Sequence, residues 1–327
     1  MPAAFLHSFV SGKAEKGTVS AICPPKENMI RTFKTRNSMK TTFFLLTLLS
    51  VLIAQPVAAQ FNIRISTGES LRQDTIDQAV YVVQYDMQDR SDTTETEAPN
   101  ETALLEVGRK LSKFYSYTKF VCDSVLAADL ANHASQEVIN EHLGRYGKSR
   151  LSEQTFKRFP NGKVTTLDEV AGGISRLRCE EDEERPQWEL SADTMRVLSF
   201  GCRKATCRFK GRNWTAWYTT DIASSEGPWK LCGLPGLILL AEDDEGHYRF
   251  ECTGIEQCRT YRPILYAGKD YEPMSRKAYN KVHERYYADP VGFITGNMPN
   301  VKITIKDSQG NPTGNPKNLP YNPLERE

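Results

Sequence analysis

A chain of 327 residues, 39% hydrophobic and 25% charged, has ordinary globular composition and enough length to bury a sizeable core. The formal net charge of +1 hides an asymmetry, because seven of the 42 Lys/Arg but only two of the 41 acids fall within residues 1–59. The remainder is slightly acidic, which removes the basic excess expected of a nucleic-acid-binding protein.

Residues 39–59 have the layout of a secretory signal peptide. Lys40 follows Met39, an apolar run extends from Phe43 to Ala54, and Val57-Ala58-Ala59 supplies small residues at a cleavage site. The run is short of the roughly 20 apolar residues that span a bilayer. No Cys sits at the cleavage site, so lipid anchoring there is not indicated. Residues 1–38 show no periodicity and read as an extension upstream of a true start at Met39, or as an extended basic leader. The mature chain then starts at Gln60 and forms one domain over 60–327. Its seven cysteines would enter an oxidising compartment, where disulfides are expected and an odd count leaves a thiol over.

Along that chain, residues 78–86 read as a strand with both faces apolar. The polar stretch 88–102 predicts an exposed loop. Residues 104–121 predict two strands, with Gly108 marking a bulge. Residues 124–143 carry a helical stripe, with Ser124 as N-cap and Gly144 as stop. Pro160-Asn161-Gly162 predicts a hairpin. A run of antiparallel strands follows from 187 to 255. In it, 195–209 and 213–221 flank a turn at Lys210-Gly211-Arg212, and 237–241 and 247–252 flank another at 243–246. Residues 273–287 predict a second helix stopped by Pro290, and 301–306 a last strand. The tail from about 309 is rich in Pro, Asn and Gly and is expected to lie extended on the surface. These elements define an α+β fold, mainly antiparallel β, as a curved sheet or half-barrel with about two helices. The alternative is a β-sandwich with helical insertions.

The densest segment is 227–240, Gly-Pro-Trp-Lys-Leu-Cys-Gly-Leu-Pro-Gly-Leu-Ile-Leu-Leu. Gly227, Pro228, Gly233, Pro235 and Gly236 restrict its backbone. Leu234-Pro235-Gly236-Leu237 fits a type II turn, with Pro at the second position and Gly at the third. The plain reading is a tight turn feeding a buried strand; the sharper one gives its backbone N–H groups to a ligand.

At these residues the chain closely resembles the GLPGLI family, exported proteins of Bacteroidota whose biochemical function is unassigned. The resemblance also takes in Asp193-Thr194, Leu198, Cys202, Lys204-Ala205, Phe209-x-Gly211-Arg212, Ala216-Trp217-Tyr218-Thr219 and Asp221-Ile222. Pro320-Tyr321-Asn322-Pro323 resembles its terminal signature. Ala223 stands where the family often has Pro, and Leu231 where an aromatic is usual. The resemblance implies export and a β-rich envelope fold, and it carries over no catalytic residue.

Trp214, Ala216 and Tyr218 share one strand face and Thr215, Trp217 and Thr219 the other. Core packing explains such aromatics. The sharper expectation is that Trp217, Tyr218 and Trp229 line a concavity for a lipid or other apolar ligand. Cys202 and Cys207, five apart, point to opposite faces of a regular strand. A metal site from Cys202, Cys207, Cys232, Cys252 and His247 is the lesser alternative to disulfides or buried thiols. His283 lacks the second His of a His-Glu-x-x-His motif, no Gly-x-Ser-x-Gly elbow occurs, and the acids at 180–184 read as a solvated loop. The expectation is therefore an exported envelope protein, periplasmic, outer-membrane associated or secreted, with no catalytic residue, metal or cofactor. It would bind an apolar ligand or an envelope protein partner. An envelope hydrolase and a structural or assembly module are the alternatives.

Overall fold

A computed structural model of the chain describes residues 73–95, 100–146, 149–298, 300–305 and 311–326. The expected signal peptide at 39–59, the expected extension over 1–38 and the expected mature terminus at Gln60 lie outside the described residues. The strands are β1 (Asp74–Asp89), β2 (Asn100–Gly108), β3 (Ser112–Ser116), β4 (Gln154–Lys157), β5 (Lys163–Val170), β6 (Ser175–Asp182) and β7 (Glu189–Val197). They continue as β8 (Phe200–Phe209), β9 (Arg212–Thr219), β10 (Leu237–Asp243), β11 (Tyr248–Gln257), β12 (Pro263–Tyr266) and β13 (Glu272–Met274). Among the described residues four α-helices accompany them: α1 (Tyr117–Ala131), α2 (Gln136–Gly144), α3 (Arg276–Ala288) and α4 (Pro290–Asn297).

All strands join one open, curved sheet in the order β13-β6-β5-β4-β3-β2-β1-β11-β10-β9-β8-β7, with β12 pairing the start of β1. Every pairing is antiparallel except β13 with β6. The fold is α+β and mainly antiparallel β, one sheet rather than a sandwich. The main core draws side chains from β1, β2, β3, β8, β9, β10 and β11. Phe114, Phe250, Trp214 and Trp229 meet in sequence across it, with ring centroids 5.8, 6.1 and 5.9 Å apart. A second cluster, with Val170, Leu177, Cys179, Tyr279 and Phe293, forms where α3 and α4 cover β5 and β6.

The short turns follow local chemistry. Asn161 and Gly162 adopt φ of 50° and 81°, and Lys210 and Gly211 φ of 50° and 75°, the left-handed values that a two-residue hairpin requires. Several expectations need correction. The expected helix over 124–143 is two helices. Its first begins earlier, where Ser116 accepts a bond from Lys119 N, while Ser124 donates to Phe120 O within the helix. His133 breaks the run at φ 53°, and Ser135 caps α2. The extra residue expected at Gly108 sits on the partner strand, because Ala79 and Tyr81 pair Gly108 and Val107 and leave Val80 over. The expected strand 195–209 is split at Leu198, which turns at φ 53° between β7 and β8. Pro290 starts α4 after stopping α3, fitting the first turn where no N–H partner is needed. Residues 301–305 are outside the strands. Of the acids at 180–184 expected in a loop, Glu180, Glu181 and Asp182 belong to β6, and Glu183 and Glu184 lie in the loop after it.

The tail is a strap, not a loose surface segment. Asn318 and Leu319 N–H groups donate to Ala288 and Tyr287 at the end of α3, at 2.9 and 2.8 Å. Asn322 N donates to Ser91 O at 3.1 Å, and Arg326 N to Lys210 O at 3.2 Å. Leu324 enters the main core.

Candidate functional site

The 226–236 segment leads into β10, and its polar groups are held by residues of β3 and β4. Glu226 is 4% exposed. Its carboxylate accepts from Ser112 Oγ at 2.6 Å and from Arg158, and it lies 3.1 Å from Lys157 Nζ. Lys157, 1% exposed, also donates to the carbonyls of Gly227 and Leu231, at 2.6 and 3.1 Å. Burial alone would raise the Glu226 pKa, but the charges of Lys157 and Arg158 outweigh it and hold the group at about 2. The segment's amides are used internally as well. Leu231 N donates to Pro228 O, Gly233 N to Ser225 O and Ile238 N to Glu226 O. Its carbonyls receive Tyr85 Oη at Ile238 (2.6 Å) and Trp188 Nε1 at Cys232 (2.8 Å).

Two glycines carry the shape, in a way the sequence did not show. Gly233 turns at φ 93°, whereas Gly236 is outside the left-handed region, so the expected type II turn at 234–237 is absent. Gly236 is needed for close approach instead, because a Cβ there would lie 2.0 Å from Thr219 O. Gly227, Pro228 and Gly236 are buried, and Gly233 and Pro235 are exposed at the bend.

Of the three aromatics expected to share a ligand surface, Trp229 and Tyr218 are buried in the main core and Trp217 packs partly buried against it. Trp229 is 1% exposed, turned inward at φ 50°, with its ring 5.9 Å from Trp214 and 6.0 Å from Phe209. Tyr218 is buried in the same core. Trp217 alternates to the opposite face of β9, beside Lys204 and Leu240, and is half-buried.

The segment also ties distant elements together. Lys230 donates to Glu181 of β6 at 2.9 Å and to Glu325 of the strap at 2.6 Å. Arg276 of α3 donates to the same Glu181 at 2.5 Å. Burial opposes ionisation of Glu181, but Arg276 and Lys230 hold its pKa at about 2. Arg212 clasps the strap, donating to Leu324 O, Asn322 Oδ1, Pro323 O and Asp243 Oδ2 at 2.9, 2.9, 2.5 and 2.6 Å. Tyr248 Oη adds a 2.6 Å bond to Asn322 O.

Asp243, Glu245 and His247 have the proximity of metal ligands. Their charge is already met, because Arg212 lies on Asp243 and Arg326 on Glu245 and His247. Asp243 Oδ1 accepts the amides of His247 and Tyr248 at 2.7 and 2.8 Å. A cation there would have to displace two guanidinium groups, so this cluster fits a metal poorly. The cysteines are not gathered with His247. Cys179, Cys202, Cys207, Cys232 and Cys252 are buried free thiols, and burial pushes Cys207 and Cys252 up to about 12. Cys202 and Cys207 both enter the main core, although a regular strand would point them apart.

A second polar centre lies where α3 and the strap meet β5. Asp168, wholly buried, accepts from His283 Nε2 and Tyr279 Oη at Oδ2, both at 2.7 Å, and from Glu169 N at Oδ1. Ser152 also bonds to it. Tyr279 Oη lies 2.5 Å from Glu153 Oε1. Tyr279 and His283 share one face of α3, and Tyr321 of the strap stacks on His283 at 6.1 Å and on Tyr287 at 4.3 Å. Burial would raise Asp168 and lower His283, but their mutual hydrogen bond and charge win, so Asp168 falls and His283 rises. Glu153 is raised, by burial and then by the charge of Asp168.

Sequence reasoning missed Lys157, Arg158, Glu226, Glu153 and Asp168. Glu226 adjoins the motif and was within reach. The others meet their partners only where the 226–231 segment and α3 pack against the β4 and β5 region.

A family model described as "Protein of unknown function (Porph_ging)" matches residues 207–240, the stretch from the middle of β8 to β10. The match supports the coarser half of the resemblance, a family without an assigned function. No curated protein matches the chain. Two solved structures, described as "Structure of PNGF-II in P21 space group" and "Structure of PNGF-II in C2 space group", align with TM-scores of 0.39 and 0.38 at 11% and 12% identity. The alignments cover 63% and 62% of this chain, which spans about a third (33% and 32%) of theirs.

Proposed function

We propose that the chain is an exported protein of the cell envelope and acts as a rigid binding or assembly module for an envelope protein partner. The 207–240 segment serves as its scaffold. The observation that carries this reading is the buried hub of Glu226 and Lys157. It consumes the polar groups that a ligand loop would offer, while Trp229 and Tyr218 are buried in the main core. The finer resemblance to the GLPGLI family, on the residues quoted above and on Pro320-Tyr321-Asn322-Pro323, belongs to this proposal. Export rests on the pattern of residues 39–59.

Protein recovered from its own envelope fraction should begin at Gln60 and, in native mass spectrometry, carry a protein partner and no lipid. A co-purifying lipid would overturn the module in favour of an apolar-ligand carrier, with Trp217 as the aromatic still open to such a ligand. An envelope hydrolase is the second reading, favoured by the Asp168–His283 pair. It requires turnover in an activity screen that His283→Ala abolishes.

A further inference from the structure

The hydrogen atoms at Tyr279 can be counted. A phenol carries one proton and can donate once. Its oxygen lies 2.7 Å from Asp168 Oδ2 and 2.5 Å from Glu153 Oε1, so two carboxyl groups compete for that proton. Asp168 accepts at both oxygens, from Glu169 N and His283 Nε2 as well as from Ser152. Such a carboxylate is ionised, and Tyr279 donates to it. A second oxygen 2.5 Å from the phenol is then held only if it brings its own proton. That leaves Glu153 as the donor, an O–H···O bond onto the oxygen of Tyr279.

We propose that Glu153 is a neutral carboxylic acid in the folded protein, the outer end of a chain running Glu153–Tyr279–Asp168–His283, and that loss of its proton unlatches α3 and the C-terminal strap from β5. Deprotonation removes one hydrogen from a close oxygen pair and puts a second negative charge beside Asp168. Glu153 and Asp168 lie on the sheet side, while Tyr279 and His283 lie on α3, so the bond that fails is the one between the two layers. The strap follows because Tyr321 rests on His283 and Tyr287. The other titratable groups facing Glu153 are Arg276 and Tyr287 from α3, Tyr321 from the strap and Tyr248 from β11. Arg276 is the permanent cation among them, and its guanidinium is already committed to Glu181.

The sign is the same for both titrating ends. Glu153 is raised in the folded state, so folding is favoured below the ordinary glutamate value, about 4.3, and that contribution is lost as pH rises to the raised one. His283 is also raised, so its contribution to the pair is lost as pH rises through its own raised value. The latch therefore opens towards alkaline pH.

Infrared spectra of the full mature chain at neutral pH should show a protonated-carboxyl stretch that is missing from Glu153→Gln and that fades in the wild type as pH rises. The thermal midpoint of Glu153→Gln should fall less steeply with rising pH than that of the wild type, because its amide donates to Tyr279 at every pH. A wild-type spectrum without the protonated band would overturn the proposal. So would parallel midpoint profiles for the two proteins.

Discussion

Glu226 and Glu153 are the same residue type at two junctions of one sheet, and they end in opposite states. Glu226 joins the 226–240 segment to β3 and β4 and meets Lys157, Arg158 and Ser112, so it stays charged although it is almost wholly buried. Glu153, in the segment leading into β4, joins the sheet to α3 and meets a phenol and, behind it, a carboxylate. Burial penalises the charge at both sites, so the neighbours decide the outcome. The first junction is a fixed brace that pH leaves alone until strongly acid conditions. The second can change state nearer the physiological range. The first coincides with the segment that matches a known family, and the second lies outside it.

The largest expected effect is at the brace. Lys157→Met strips Glu226 of a cation and leaves the carbonyls of Gly227 and Leu231 short of a donor, and should cost about 3–5 kcal/mol in denaturant unfolding. Glu153→Gln should cost under about 1 kcal/mol at neutral pH, because it reproduces the neutral acid's hydrogen bond. Equal losses would break the comparison. Next, Trp229→Ala should cost about 3 kcal/mol as a buried large-to-small change, and Trp217→Ala, half-buried on the other face, less than half of that. The reverse order would return Trp229 to a ligand-facing role.

A smaller effect separates the two junctions by pH. Glu226 has a folded value of about 2, below the ordinary one, so its contribution is complete above about pH 5 and is lost as pH falls towards 2. Glu226→Gln should therefore be less stable than wild type at neutral pH, and the gap should narrow in acid. A constant gap would mean that Lys157 and Arg158 do not hold the carboxylate. The smallest effect is the control: Arg145→Ala breaks an exposed pair with Glu141 on α2 and should change stability by less than about 0.5 kcal/mol.

The sheet was legible because strand alternation and turn chemistry are local. The hairpins at 161–162, 210–212 and 243–246 each announce themselves with Gly, beside Asn or Asp at two of them. The turn at Leu198 has no such signal, since an apolar residue at positive φ is held there by the strands around it. The break at His133 carries weak local marks, Asn132 and Ser135, that the helical stripe outweighed. Pro290 announces a stop, and only the cap at Asp289 shows that it is also a start. The site was less legible still. Lys157 and Gly227 are 70 residues apart, and Tyr279 and Asp168 111 apart. No periodicity connects such pairs; they meet because the 226–231 segment and α3 pack against the interior strands β4 and β5. The motif residues themselves could be read as turn formers, yet the need for Gly236 comes from Thr219 O on the neighbouring strand.

Native-state hydrogen exchange across residues 226–238 tests the scaffold role most directly. The amides of Leu231 and Gly233 donate to Pro228 O and Ser225 O, so they should exchange only with global unfolding, at the rate of the β9 and β10 amides. Fast exchange at these amides while β9 and β10 stay protected would show a loop that opens on its own, and would contradict the account.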